Sequence, residues 1–282
     1  MDHKNNDAHN VNITATRFWG KSLAGKLQHI AQDPRKAARK AAYRVLSLVG
    51  SRAFRPFVVL TRDRTGSNML IQALDAHPQI AADYEIFSRL RGRREADILD
   101  RAYGRQPFYI RAKGFKIFYY HPQDAPGSPV WDMLAAVEGL HVIHLRRRNI
   151  LHALVSSRLA YQTGIYGVRS DKEAAEYRDA LPTVRFTPEE LERDFQQTRS
   201  WEREGIARFD GRPSLDVTYE DMTADLPGQF ARITEFLGVP PRPPHTDFKK
   251  QRTRPLRDTV ENYATLKTHF QGSVWEDFFD DP

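Results

Sequence analysis

Four short runs dense in β-branched and aromatic residues, FVVL (57–60), FKIFYY (115–120), HVIHL (141–145) and SLDVTY (214–219), carry the composition of strands. Between and after them, apolar residues recur at helical spacing over 67–76, about 93–103, 129–137, 149–163, 188–209, 225–237 and 257–270. Strands that alternate with helices predict the α/β class: a central parallel sheet with helices on both faces. Ligands of such sheets sit beyond the carboxyl ends of the strands, so the residues that follow each strand hold the candidate chemistry. Residues 1–14 are polar and aperiodic, the pattern of a disordered tail. Residues 15–52 read as a basic helical extension, in which Ala38, Ala42, Val45 and Leu46 share a face while Arg35, Lys36, Arg39 and Lys40 lie mostly elsewhere. The main domain is expected over 53–282, with the proline-rich, basic stretch 240–256 as an ordered crossing segment.

Composition narrows the classes. Forty per cent hydrophobic residues in 282 is enough to bury a core. Cysteine is absent, which removes disulfides and thiolate metal sites and fits a reducing compartment. With no run of eighteen apolar residues and no signal-peptide pattern near the start, the expectation is a soluble, cytoplasmic protein. The net charge of +7 and the pI near 9.6 favour acidic partners: nucleic acid, anionic lipid, or phosphate- and sulfate-bearing small molecules. Residues 15–50 suit peripheral contact with an anionic membrane, and equally suit packing on the domain behind them. No helix-turn-helix or stacking platform accompanies the charge, so nucleic acid is not the expected partner. The ten histidines are scattered without an H-E-x-x-H pattern, so no metal is expected.

The segment TRDRTGSNML (61–70) turns from the first strand into the first helix. A helix start offers unpaired N–H groups and the positive end of the dipole, which together make an anion site. Gly66 lets the backbone approach a ligand, Thr65, Ser67 and Asn68 add side-chain donors, and Arg64 adds a fixed charge. The loop lacks the Gly-Lys-Ser/Thr ending of a nucleoside-triphosphate site, which disfavours a metal-assisted kinase.

RTGSNML after a strand resembles the 5′-phosphosulfate loop of sulfotransferases that use 3′-phosphoadenosine 5′-phosphosulfate (PAPS). Arg148, Asn149 and Ser156, after the strand HVIHL, match the spacing of that family's 3′-phosphate element, and a dianionic phosphate suits a guanidinium fork plus a hydroxyl. VTYEDM (217–222) resembles the family's Tyr-Glu-Asp segment, which assigns Tyr219 to the adenine. The C-terminal run from 249 to 279 resembles the tail of nodulation-type sulfotransferases acting on lipochitooligosaccharides, where Lys250, Arg252 and Arg254 would close over the 3′-phosphate. The resemblance implies a P-loop-like fold, PAPS as co-substrate without a metal, and a carbohydrate or glycolipid acceptor. It further implies that Lys116 lies near the sulfuryl group. Two residues compete as the base that takes the acceptor proton: Glu85 in DYEIF, 21 residues after Arg64, and His121, just past FKIFYY. Phe108, Tyr109, Tyr161 and Tyr166 are candidates to stack on sugar rings or to fill the core.

Overall fold

A computed structural model describes residues 43, 45–165, 182–247 and 254–280. Most of the basic extension over 15–52, the segment holding Lys250 and Arg252, and Tyr166 lie outside the described residues. Gly50–Pro282 forms one compact unit.

Five strands build that unit: β1 (Arg55–Thr61), β2 (Ile80–Asp83), β3 (Ala112–Phe118), β4 (His141–Arg146) and β5 (Ser214–Thr218). They form one sheet in the order β2-β3-β1-β4-β5, and every pairing is parallel. The intervening helices are α1 (Ser67–Ala76), α2 (Glu95–Ala102), α3 (Val130–Ala135), α4 (Ile150–Thr163) and α5 (Pro188–Ala207). After β5 come α6 (Tyr219–Ala224), α7 (Leu226–Phe236), α8 (Leu256–Thr259) and α9 (Tyr263–Phe270), then a 3-10 turn at Glu276–Phe279.

The period-2 geometry of β1 divides the core. Phe57 and Val59 join Leu70, Ile71 and Leu74 of α1 and Phe230 and Ile233 of α7 on one face. Val58 and Leu60 join Phe115, Ile117, Ile98, Val130 and Leu134 on the other. A third cluster ties Leu151 and Val155 of α4 to Phe195 of α5 and to Leu256, Leu266, Phe270 and Phe279 near the C-terminus. The family-like tail thus builds core around α4, and Asn149 donates to the Phe278 carbonyl at 3.0 Å.

Four details depart from the sequence pattern, the first being that the strand read over FKIFYY runs instead over Ala112–Phe118. The edge strand β2 was not foreseen: IAAD is four residues long with two alanines, too short and too weak in β propensity to stand out. The expected helix over 257–270 is broken, because Val260 adopts an extended conformation and bridges Val184 in parallel, a tertiary pairing that overrides local helical pattern. The strand SLDVTY ends one residue early, and Tyr219 opens α6 behind Thr218, whose hydroxyl accepts the Asp221 N–H.

Candidate active site

β1 delivers the chain into the loop 62–66 at the sheet's carboxyl edge. Arg64 and Gly66 both take left-handed backbone (φ 62° and 79°). That region costs an ordinary L-residue energy, and a non-glycine held there marks a conformation enforced by its surroundings. Gly66 is the N-cap of α1 and no side chain caps that helix, so the first-turn amides keep their anion-binding character. The loop is tightly backed: a Cβ on Gly66 would lie 2.7 Å from Cδ2 of Tyr219. The Arg147 guanidinium in turn sits 4.4 Å from the centre of the Tyr219 ring and donates to the Arg64 carbonyl at 3.1 Å.

The helix α4 is pinned to the same loop by two adjacent serines. Arg64 Nε donates to Ser156 Oγ at 2.9 Å, and Ser157 Oγ donates to Asp63 Oδ2 at 2.6 Å. Arg148, at the start of this connection, is 60% exposed and pairs with Asp221 at 2.9 Å. Its backbone N–H, like that of Asn149, donates to the Glu220 carboxylate. The loop residues, Ser156, Arg148 and Tyr219 therefore share one end of the sheet, on the β1, β4 and β5 side.

Thr65 is placed differently from Ser67 and Asn68. Its hydroxyl is buried against Thr61 Oγ1 at 2.6 Å and donates to the Arg62 carbonyl at 3.0 Å, so it braces the loop from within. Ser67 and Asn68 face Lys116, whose Nζ donates to Ser67 Oγ at 3.4 Å and to Asn68 Oδ1.

Lys116 occupies the fifth position of β3 and is 1% exposed, far from a strand-edge lysine in water. Burial pulls its pKa below the ordinary lysine value, and the nearby Glu85 carboxylate opposes that pull. The two form an ion pair at 2.7 Å, with Glu85 28% exposed. Glu85 follows β2, so the unforeseen edge strand is what carries this carboxylate to the loop.

His121 lies close by but in a different state. It is 4% exposed, its Nδ1 accepts the Phe118 N–H at 3.3 Å, and burial lowers its pKa to about 4.

Asp63, Arg147 and Ser157 are members of the cluster that sequence reasoning passed over. Burial acts to raise the Asp63 pKa, but Arg62, the Ser157 hydrogen bond, Arg64 and Tyr120 outweigh it and hold the carboxyl below its usual value. The alternation of Arg146, Arg147 and Arg148 at a strand end was a usable signal for Arg147, since successive residues there point to opposite sides. Phe108 and Tyr109 are exposed but precede β3, at the sheet's amino edge, away from the cluster. Arg254 donates to the Asp258 carbonyl at 2.5 Å. Among the described residues no group of three or more His, Asp or Glu is arranged to hold a metal ion. Nor is any described helix long and apolar enough to cross a membrane.

No family model matches the chain. Nodulation protein H of Rhizobium tropici is 30% identical over 240 residues, which cover 80% of this chain and 93% of that protein. Nodulation protein H of Rhizobium meliloti (strain 1021) is 27% identical over 241 residues, covering 80% and 95%. Among solved structures, a sulfotransferase from Alicyclobacillus acidocaldarius aligns with a TM-score of 0.49 at 16% identity, covering 80% of this chain and 96% of that one.

Proposed function

The chain belongs to the nodulation protein H family of sulfotransferases, and on that premise we propose that it moves the sulfuryl group of PAPS onto a hydroxyl of a carbohydrate or glycolipid, a lipochitooligosaccharide being one such acceptor. When PAPS is bound it supplies the activated sulfur: the acceptor oxygen forms the new S–O bond, the bond to the 5′-phosphate breaks, and the acceptor proton passes to a base. One observation carries the reading. The uncapped, glycine-led start of α1 meets a buried lysine and a carboxylate on one side and Ser156 on the other.

The residues present fit such a donor. Gly66 lets the loop pack against Tyr219, and the first-turn amides of α1, which no side chain caps, supply donors for an anion. Arg64, the amides at 66–68 and Ser67 would hold the 5′-phosphosulfate. Ser156, with Arg148 once it leaves Asp221, would hold the 3′-phosphate, and Tyr219 would pack on the adenine. Lys116 in a water-poor setting would stabilise charge on the departing oxygens, where low dielectric strengthens it.

Glu85 is the base we assign. Its carboxylate is partly open to solvent and 2.7 Å from Lys116, whereas His121 is buried and its Nδ1 is taken by the Phe118 N–H. Lys250 and Arg252 are assigned to the 3′-phosphate on resemblance alone. We read the chain as a sulfotransferase domain over 53–282 preceded by a basic extension over 15–52, which would either contact an anionic membrane or pack on the domain. The test of the whole reading is transfer of labelled sulfuryl from PAPS to a panel of glycans and glycolipids. Label in a glycan product is the expected result, and hydrolysis of ATP in preference to any use of PAPS would overturn it.

A further inference from the structure

Lys116 is bracketed by rings. Its Nζ lies 5.3 Å from the centre of Tyr84 and 5.2 Å from that of Phe118. Phe118 continues into Tyr120 at 5.6 Å, and Tyr120 into Trp201 at 5.3 Å. Phe118 is buried and Tyr120 and Trp201 are half-buried, but Tyr84 is 41% exposed. An exposed ring is ordinary by itself; what singles this one out is where it stands.

That position is distinctive. Tyr84 stands between the end of β2 and Glu85, in a turn closed by the Ile86 N–H on the Tyr84 carbonyl at 2.9 Å. Ring and carboxylate belong to adjacent residues of one tight turn. Lys116 holds both, by the cation–π contact and by the ion pair.

Resting on the Glu85 reading above, we propose that Tyr84 is the platform on which a pyranose ring of the acceptor lies, so that one of its hydroxyls meets Glu85. A pyranose has a face of C–H groups that suits the negative face of an aromatic ring, while an open-chain polyol presents no such face. The platform therefore selects cyclic sugars. It sits at the same edge as the loop 62–66, which the exposed Phe108 and Tyr109 do not.

The test compares the full-length wild type with Tyr84→Ala and Tyr84→Phe. Two hydroxyl acceptors are used, a chito-oligosaccharide and sorbitol, together with calorimetric titration of the chito-oligosaccharide and of adenosine 3′,5′-bisphosphate. For Tyr84→Ala, KM and Kd for the chito-oligosaccharide should rise about three- to tenfold, the size of one aromatic contact. Bisphosphate affinity should stay at the wild-type value, the loss with sorbitol should be smaller than the loss with the chito-oligosaccharide, and Tyr84→Phe should restore sugar binding. Equal losses for both acceptors, or a loss of bisphosphate affinity, would mean that the ring only shields Lys116 and would overturn the platform. Should the wild type transfer nothing yet Tyr84→Ala still weaken chito-oligosaccharide binding, the platform stands and the transfer reading falls. Unchanged chito-oligosaccharide binding in Tyr84→Ala overturns the platform whatever the turnover.

Discussion

Replacing Gly66 with alanine tests the most crowded point of the site. The backbone there has φ 79°, which for an L-residue costs roughly 1–2 kcal/mol. The new Cβ would meet Tyr219 Cδ2 at 2.7 Å, closer than packed carbons tolerate, so the ring must shift. Tyr219 in turn carries the Arg147 guanidinium at 4.4 Å, a contact worth about 0.5–2 kcal/mol that the shift would weaken. Together these amount to about 2–3 kcal/mol, which for a domain of this size lowers Tm by roughly 5–10 °C. Gly211→Ala is the control: its φ is 74° but nothing lies within 4 Å of the added Cβ, so it bears the backbone cost alone. Differential scanning calorimetry of the two variants separates collision from strain, and titration with adenosine 3′,5′-bisphosphate reads the loop. Gly66→Ala should melt lower than Gly211→Ala and lose bisphosphate binding, while Gly211→Ala should bind like the wild type. Equal melting points with intact binding in Gly66→Ala would refute the idea that the loop needs a bare backbone against Tyr219.

Glu85→Gln should lower kcat by about a hundredfold or more, the usual contribution of a general base, with bisphosphate affinity unchanged; near-normal turnover would remove Glu85 from the role. Lys116→Met keeps the length and apolar stem but not the charge, and should lower kcat by a similar factor, with a lower Tm because Glu85 and Asn68 lose their partner. His121 and His144 both have pKa values lowered to about 4 by burial, against an ordinary 6.5. Between those values the unfolded chain binds more protons than the folded one, so stability is full above about pH 6.5 and falls toward pH 4, by about 3 kcal/mol for each histidine. Chemical denaturation across that range, in the wild type and in His121→Gln, should show a shallower acid loss in the variant.

Much of the scaffold was legible because its signals are local. Buried parallel strands such as FVVL and HVIHL are short runs of uninterrupted apolar residues, and the helix ends coincide with His77 before Pro78 and with the Thr187–Glu190 capping box. The loop from Arg64 to Asn68 announced itself through a glycine between polar residues after a strand. What escaped was set by tertiary contact. The edge strand β2 owes its extended form to pairing with β3, and the break at Val260 to pairing with Val184. Thr65 was expected to face a ligand, yet its hydroxyl closes on Thr61 across the loop, a contact that spacing alone does not reveal. Ser157 and Asp63 escaped for the same reason, since they meet only when α4 docks on the loop.

The central claim is that the Gly66 loop and the Arg148–Ser156 region grip the two phosphates of one adenosine nucleotide. A double comparison by calorimetry measures it directly: adenosine 3′,5′-bisphosphate against adenosine 5′-monophosphate, each titrated into the wild type and into Arg148→Ala/Ser156→Ala. The wild type should bind the bisphosphate at least tenfold tighter, and the double variant should lose that preference while binding the monophosphate as before, each tenfold being about 1.4 kcal/mol. Equal affinity of the wild type for the two nucleotides would contradict the claim.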